Sequence, residues 1–252
     1  MEELIVSPWL LAVAFGCIAT VYGSVGLGGG SSYTALLAIF GLGHRLIPSV
    51  SLSLNVVVTV IGAINFARHG HVRLRIVAPL LVASLPLAYL GGSLQLPSTV
   101  FYAILLGSLV VVAARIYLWE RPTFDLDLGP KTRLVTLIGL GATLGLLAGI
   151  VGIGGGIYLV PILILLGLGS EKEAAAAGAI FIAANSASGL FAHLRREVPP
   201  VELMGPLLAA VVIGGFVGSQ LGADRFSPKV VRRTLGLVIL VAIVLLARRL
   251  LM

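Results

Sequence analysis

Glycine, asparagine and serine are the residues here whose spacing could do chemistry; no ionisable cluster competes with them. Gly26-Leu27-Gly28-Gly29-Gly30 opens one apolar stretch, and Gly152-Ile153-Gly154-Gly155-Gly156 opens another 126 residues later. A helix starting at Gly30 or Gly156 presents several unpaired N–H groups and about half a positive charge at its first turn. Such an end is a ready site for an anion. The glycines before it tolerate backbone angles closed to other residues and let a ligand approach the amides. Inside a membrane, unwound backbone is tolerated only where it faces protein or a water-filled cavity. Close helix packing is the plainer reading for isolated small pairs such as Gly16/Thr20 and Gly145/Gly149. For a tripled and duplicated cluster, a broken helix at a binding site is the better one. A dinucleotide fingerprint fits poorly, because the spacing is wrong, no strand pattern precedes the glycines and no acid follows about 20 residues on.

Uncharged hydrogen-bonding side chains form the second group. Ser51, Ser53, Asn55 and Thr59 lie in the apolar segment after the first cluster; Asn185, Ser186 and Ser188 lie in the one after the second. Asn55 and Thr59 are four residues apart and share a helix face. At the 126-residue offset Thr59 corresponds to Asn185. Amides and hydroxyls can donate to an oxyanion, and they can also merely tie helices together. The candidate substrate-binding set is therefore Gly28, Gly29, Gly30, Ser31, Asn55 and Thr59 with Gly154, Gly155, Gly156, Asn185 and Ser188. No Asp, Glu or Lys interrupts an apolar core. That argues against a bound cation or a carboxylate proton relay. No Ser-His-Asp set, HExxH or paired carboxylates is present, which argues against an enzyme. His44, His69, His71 and His193 fall at segment ends or loops without metal-ligand spacing, so neither metal nor cofactor is expected. Arg68 and Arg195 close the two polar segments and suit headgroup contacts.

The elements that must hold these groups are membrane helices. The 252 residues are 58% hydrophobic and 11% charged, with mean hydropathy +1.11, against about 25% charged in a soluble domain. Ten apolar segments can be drawn, at 8–22, 31–43, 46–67, 74–94, 98–119, 133–150, 156–169, 174–194, 201–222 and 228–250. Crossing a bilayer of about 30 Å takes about 20 residues. The short segments 31–43 and 156–169 are thus full helices bent at the glycines or hairpins that enter part way. Residues 23–43 and 149–169 agree at 10 of 21 positions, down to the closing Gly41-Leu42-Gly43 and Gly167-Leu168-Gly169. The expected organisation is a first repeat at 1–119, a polar cytoplasmic linker at 120–132 and a second repeat at 133–252.

The net charge of +7 comes from Lys and Arg at segment ends and in short loops. This suits anionic headgroups rather than nucleic acid. With ten crossings, 5 basic residues fall on the N-terminal side and 12 on the other. Positive-inside then puts both termini outside the cytoplasm, and the halves run in opposite directions. Re-entrant hairpins followed by three spans give the same count; an eight-span scheme gives 11 against 6 and parallel halves. The lone Cys17 supports neither a disulfide framework nor a cysteine metal site. Met1-Glu2-Glu3 lacks the basic start of a secretory signal, so the first apolar stretch is expected to be kept.

The two GxGGG segments, an Asn/Ser-bearing helix after each, and the Gly149–Gly156 run followed by Pro161 resemble the TauE/SafE sulfite exporter family. The first copy has Ala35 where the second has Pro161. The resemblance implies an integral membrane permease exporting small sulfur-containing oxyanions such as sulfite, sulfoacetate or other organosulfonates. The combined expectation is an all-α polytopic protein of the inner membrane, with two inverted repeats of five segments. A small anion would bind at the midplane between the repeats and move by alternating access. Its partners would be that anion and the lipid bilayer, with homodimerisation left open. An anion channel, a membrane enzyme acting on a lipid-linked substrate and an assembly subunit are the competing readings.

Overall fold

The computed structural model describes residues 7–23, 27–118, 129–221 and 239–248, which are helical with short connections and no strand. Gly26, most of the polar linker and residues 228–238 of the last apolar segment lie outside the described residues. The chain order is α1 (Pro8–Gly23), α2 (Gly30–Ile39), α3 (Leu46–Arg68), α4 (Leu74–Ser93), α5 (Ser98–Leu118), α6 (Pro130–Val151), α7 (Gly156–Leu165), α8 (Glu171–Leu194) and α9 (Val201–Leu221). A further apolar helix, α10, runs over Ile239–Arg248. Among the described residues α3, α4, α6, α8 and α9 are long and apolar enough to cross a membrane. Their outward faces stay apolar, as at Leu74, Val82, Ile213 and Phe216, which is how a helix in contact with lipid reads.

Local sequence sets the helix ends. Ser170 and Glu173 form a reciprocal capping box at the start of α8: Ser170 Oγ accepts from Glu173 N–H at 3.3 Å, and Glu173 Oε2 accepts from Ser170 N–H at 3.0 Å. Pro130 opens α6 behind Gly129, where its missing N–H costs nothing. Gly41 (φ 84°) and Gly167 (φ 64°) stop α2 and α7. In both, the residue after the glycine donates back five residues, Leu42 to Leu37 at 3.0 Å and Leu168 to Leu163 at 2.9 Å. α2 and α7 thus begin and end 126 residues apart, each 10 residues long. Ten residues rise about 15 Å, half of a hydrocarbon core of about 30 Å.

Glycine seams set the packing. Gly141, Gly145 and Gly149 of α6 lie against the backbone of Leu80, Ser84 and Ala88 of α4. Both series advance together, so α4 and α6 run parallel. α1 lies along α9 in the same way, with Gly214 against Gly16 and Gly218 against Thr20. The 126-residue offset exchanges these two pairs. α3 and α8, which also correspond at that offset, pack on each other with Leu52 at Gly189 and Gly62 opposite Ala179. Here one series rises as the other falls, so α3 and α8 are antiparallel.

Polar contacts gather the helix ends into two layers. Arg73 Nε donates to Glu173 Oε1 at 2.5 Å, and Arg133 Nη2 donates to the Leu168 carbonyl at 2.6 Å. These join the starts of α4, α6 and α8 to the loop after α7. α6 and α7 therefore start and finish at one end, as a hairpin. At the other end Arg195 Nη1 donates to Tyr89 Oη at 2.8 Å, and Arg196 Nη2 donates to the Ser93 carbonyl. The buried apolar residues form two cores that cut across the sequence halves. One joins α1, α2, α3, α5, α9 and α10 around Phe15, Leu54 and Leu207. The other joins α4, α6, α7 and α8 around Leu80, Leu144 and Phe181.

Candidate functional site

The two glycine breaks meet in the middle of the bundle. α2 starts at Gly30 and α7 at Gly156, and neither has a side-chain cap. The Tyr33 N–H bonds Gly29 O at 2.9 Å, while those of Tyr158 and Leu159 bond Gly155 O at 3.2 and 3.3 Å. The breaks use glycine for different reasons. Gly152 (φ 79°), Gly154 (φ 79°) and Gly155 (φ 76°) adopt left-handed backbone, which other L-residues enter only at a cost. Gly28, Gly29 and Gly30 do not. Gly28 and Gly30 are needed for room. A Cβ on Gly28 would lie 2.6 Å from Asn55 Oδ1 and 2.9 Å from Thr59 Cγ2, and one on Gly30 would strike Asn55 Nδ2 and the Ile153 carbonyl.

Asn55 lies between the breaks. The point a Cβ on Gly154 would occupy is 3.1 Å from Asn55 Nδ2 and 3.2 Å from Ser186 Oγ. A single carboxamide from α3 thus touches the first break on one side and the second on the other, facing Ser186 of α8. Ser51, one turn earlier on α3, donates to Gly152 O at 2.8 Å with Gly30 O 3.4 Å away. Both breaks are thereby tied to one helix. Asn55 is the tenth residue of 23 in α3 and Asn185 the fifteenth of 24 in α8, so both lie near the middle of a helix long enough to span.

The chemistry of the cluster is neutral. Ser31, Ser32, Thr34, Ser51, Asn55, Thr59, Asn185 and Ser186 are buried. No charged side chain is buried among the described residues. Its positive potential must come from the two helix starts and from amide and hydroxyl hydrogens.

The predicted residues separate into those that converge and those engaged elsewhere. Gly28, Gly30, Asn55 and Gly154 converge. Gly156 packs on Ile182, and Gly155 approaches Phe181 and the Leu144 carbonyl. Gly29 sits beside the Tyr33 ring of its own helix, where a Cβ would lie 2.7 Å from Tyr33 Oη. Ser31 Oγ shares a 3.0 Å hydrogen bond with Tyr22 Oη. The Thr59 hydroxyl donates to the Asn55 carbonyl at 2.6 Å and turns its methyl to Gly28. Asn185 Nδ2 donates to Phe181 O at 2.9 Å. Ser188 donates to Leu85 O of α4 at 2.7 Å, a helix-to-helix bond. His193 Nε2 lies 2.8 Å from Gly149 O, and Arg195 lies over Phe191 at 5.1 Å.

Ser186, Ile153 and Tyr33 belong at the site although the sequence set did not include them. For Ser186 a signal existed: Gly178, Ile182 and Ser186 follow at four-residue intervals, one helix face. Gly178 meets Val160 of α7, and Ile182 meets Gly154 and Gly156. Ile153 contributes only its backbone carbonyl, for which side-chain type gives no sign.

The family model "Sulfite exporter TauE/SafE" matches residues 10–246. "Probable membrane transporter protein y4hK" of Sinorhizobium fredii (strain NBRC 101917 / NGR234) is 31% identical over 236 residues, covering 92% of this chain and 95% of that protein. No solved structure matches the chain. A family match over almost the whole chain, joined to a bundle of apolar helices with paired glycine breaks, makes this protein a member of the TauE/SafE sulfite exporter family of membrane transporters.

Proposed function

We propose that the protein exports a small sulfur-containing oxyanion, such as sulfite, sulfoacetate or another organosulfonate, across the inner membrane by alternating access. The observation that carries this reading is the convergence of two uncapped helix starts on Asn55 and Ser186 at mid-helix depth. Fixed N–H dipoles and neutral donors compensate an anion without a buried counter-charge. The family name adds sulfite and export as the substrate class and direction.

The antiparallel packing of α3 and α8, helices that correspond at the 126-residue offset, supports an inverted repeat. In this reading each half is a hairpin, α1–α2 or α6–α7, followed by three spans. The moving bodies are then the two apolar cores rather than the sequence halves, with α4 travelling with α6–α8 and α9 with α1–α3. They would rock along the α3–α8 contact, opening the site to one side and then the other. Complete burial of Asn55, Asn185 and Ser186 suits an occluded carrier better than an open channel.

Thermal unfolding of the detergent-purified protein against sulfite, sulfate, sulfoacetate, taurine, phosphate, acetate and chloride tests the site. A ligand at 100 times its dissociation constant, binding only folded protein, stabilises by about 2.7 kcal/mol. A shift confined to sulfite or sulfonates supports the reading; no shift with any anion contradicts it.

A further inference from the structure

The hydrogen-bonding balance of the cluster restricts its ligand further. Tyr33 Oη, Asn55 Nδ2, Asn55 Oδ1, Ser84 Oγ, Asn185 Oδ1 and Ser186 Oγ are buried and have no hydrogen-bond partner among the described residues. Ser84 belongs to the α4–α6 seam, against Gly145. Four of the other five atoms border the glycine breaks, and the fifth, Asn185 Oδ1, belongs to the residue beside Ser186 on α8. Tyr33 is beside Gly29; Asn55 touches Gly28, Gly30 and the Gly154 position; Ser186 touches the Gly154 position. Asn185 lies on the α8 face between Gly178, which meets Val160 of α7, and Gly189, which meets Gly149 of α6.

These atoms are not all donors. Asn185 Nδ2 is committed to Phe181 O, which fixes the orientation of that amide and leaves Asn185 Oδ1 as an acceptor only. Asn55 presents one oxygen and one nitrogen whichever way its amide is turned. An oxyanion without hydrogen would satisfy Asn55 Nδ2 and the hydroxyls of Ser186 and Tyr33. It would leave two carboxamide oxygens unsatisfied and set negative charge against them. Leaving buried acceptors unpaired carries most of their desolvation penalty.

We infer that the site selects an anion bearing its own hydrogen-bond donor, either a protonated oxyanion or a sulfonate with a hydroxyl group, over a fully deprotonated or donor-free one. The inference rests on the anion site proposed above and narrows its substrate class. The oxyanion oxygens face the helix starts and Asn55 Nδ2, while the ligand's own O–H faces a carboxamide oxygen. The selectivity expected of a site built around a hydrogen bond is large, because the analogue lacking the donor strands the buried acceptor.

The test measures dissociation constants by calorimetry on the intact purified protein for two matched pairs. Isethionate against ethanesulfonate differs by one hydroxyl; hydrogensulfite, in mildly acidic buffer, against sulfite, in alkaline buffer, differs by the ligand's proton. The expected result is at least roughly tenfold tighter binding of the donor-bearing member of one or both pairs. The pair that responds locates the donor on the oxyanion or on the organic tail. Asn185→Leu should narrow the gap by weakening the donor-bearing member, and the wild-type comparison decides the matter if that variant fails to fold. Equal affinities within each pair would overturn this inference and leave the anion site standing. No binding of any of the four to folded protein would overturn both.

Discussion

Asn55 combines two things that usually exclude each other: it is wholly buried, and neither end of its amide has a hydrogen-bond partner among the described residues. Glycine at positions 28, 30 and 154 makes the arrangement possible, because any Cβ there would occupy the space around that amide. The two clusters should therefore fail differently when altered. Gly154→Ala forces a left-handed alanine at φ 79° and sets a methyl 2.8 Å from Ile182 Cγ2. A loss of about 1–3 kcal/mol in unfolding free energy is expected, together with loss of anion binding. Gly107→Ala, in a helix and with nothing within 4 Å of the new Cβ, should leave anion binding unchanged and raise the unfolding free energy by about 0.5–1 kcal/mol. Denaturant titration and ligand-induced thermal shift check the pair. At this scale the sequence was informative about residue type and less so about facing. The duplicated glycines and Asn55 were legible because their chemistry is unusual in an apolar run. Ser186 and Ser188 were not separable by type, yet 186 faces Gly154 and 188 bonds to α4. Thr59 could be given a depth from its position, but not the commitment of its hydroxyl to the Asn55 carbonyl.

Helix existence and ends were readable to within a few residues, since apolar runs broken by Gly, Pro and charge mark them plainly. Partners were not. Helices apolar on every side carry no stripe to say which face packs. The exchange of α4 and α9 between the two cores therefore had no trace beyond scattered small residues. Gly145 is one of these, and a Cβ on it would lie 2.5 Å from the Ser84 carbonyl oxygen. Gly145→Leu should part α4 from α6 and cost about 1–3 kcal/mol or more, as overpacking does. Ser170→Ala, which removes half of the capping box on α8, should cost about 1 kcal/mol. Thermal or denaturant unfolding that ranked these two in reverse order would mean the α4–α6 seam is looser than its glycines imply. Each short helix, α2 and α7, must start at half depth for the breaks to meet, and the duplicated stop at Gly41 and Gly167 fixes the length of each.

For the whole molecule to carry an anion across, the two ends of the bundle must face different compartments. The loop between α3 and α4, with Gly70, lies on the side rich in Lys and Arg; the loop between α8 and α9, with Val198, lies on the other. In a Cys17→Ser background, cysteine at 70 should react with an impermeant maleimide only from the cytoplasm, and cysteine at 198 only from outside. Labelling of both from one side would remove the inverted arrangement. The claim that matters most is that the meeting point of the two glycine breaks carries a substrate anion across. Counterflow of labelled sulfite or sulfonate into proteoliposomes, with wild-type protein and Asn55→Leu of equal folded content, tests this most directly. Saturable counterflow is expected in the wild type, with its loss, by roughly tenfold or more, in Asn55→Leu. Undiminished flux in the variant would contradict that claim.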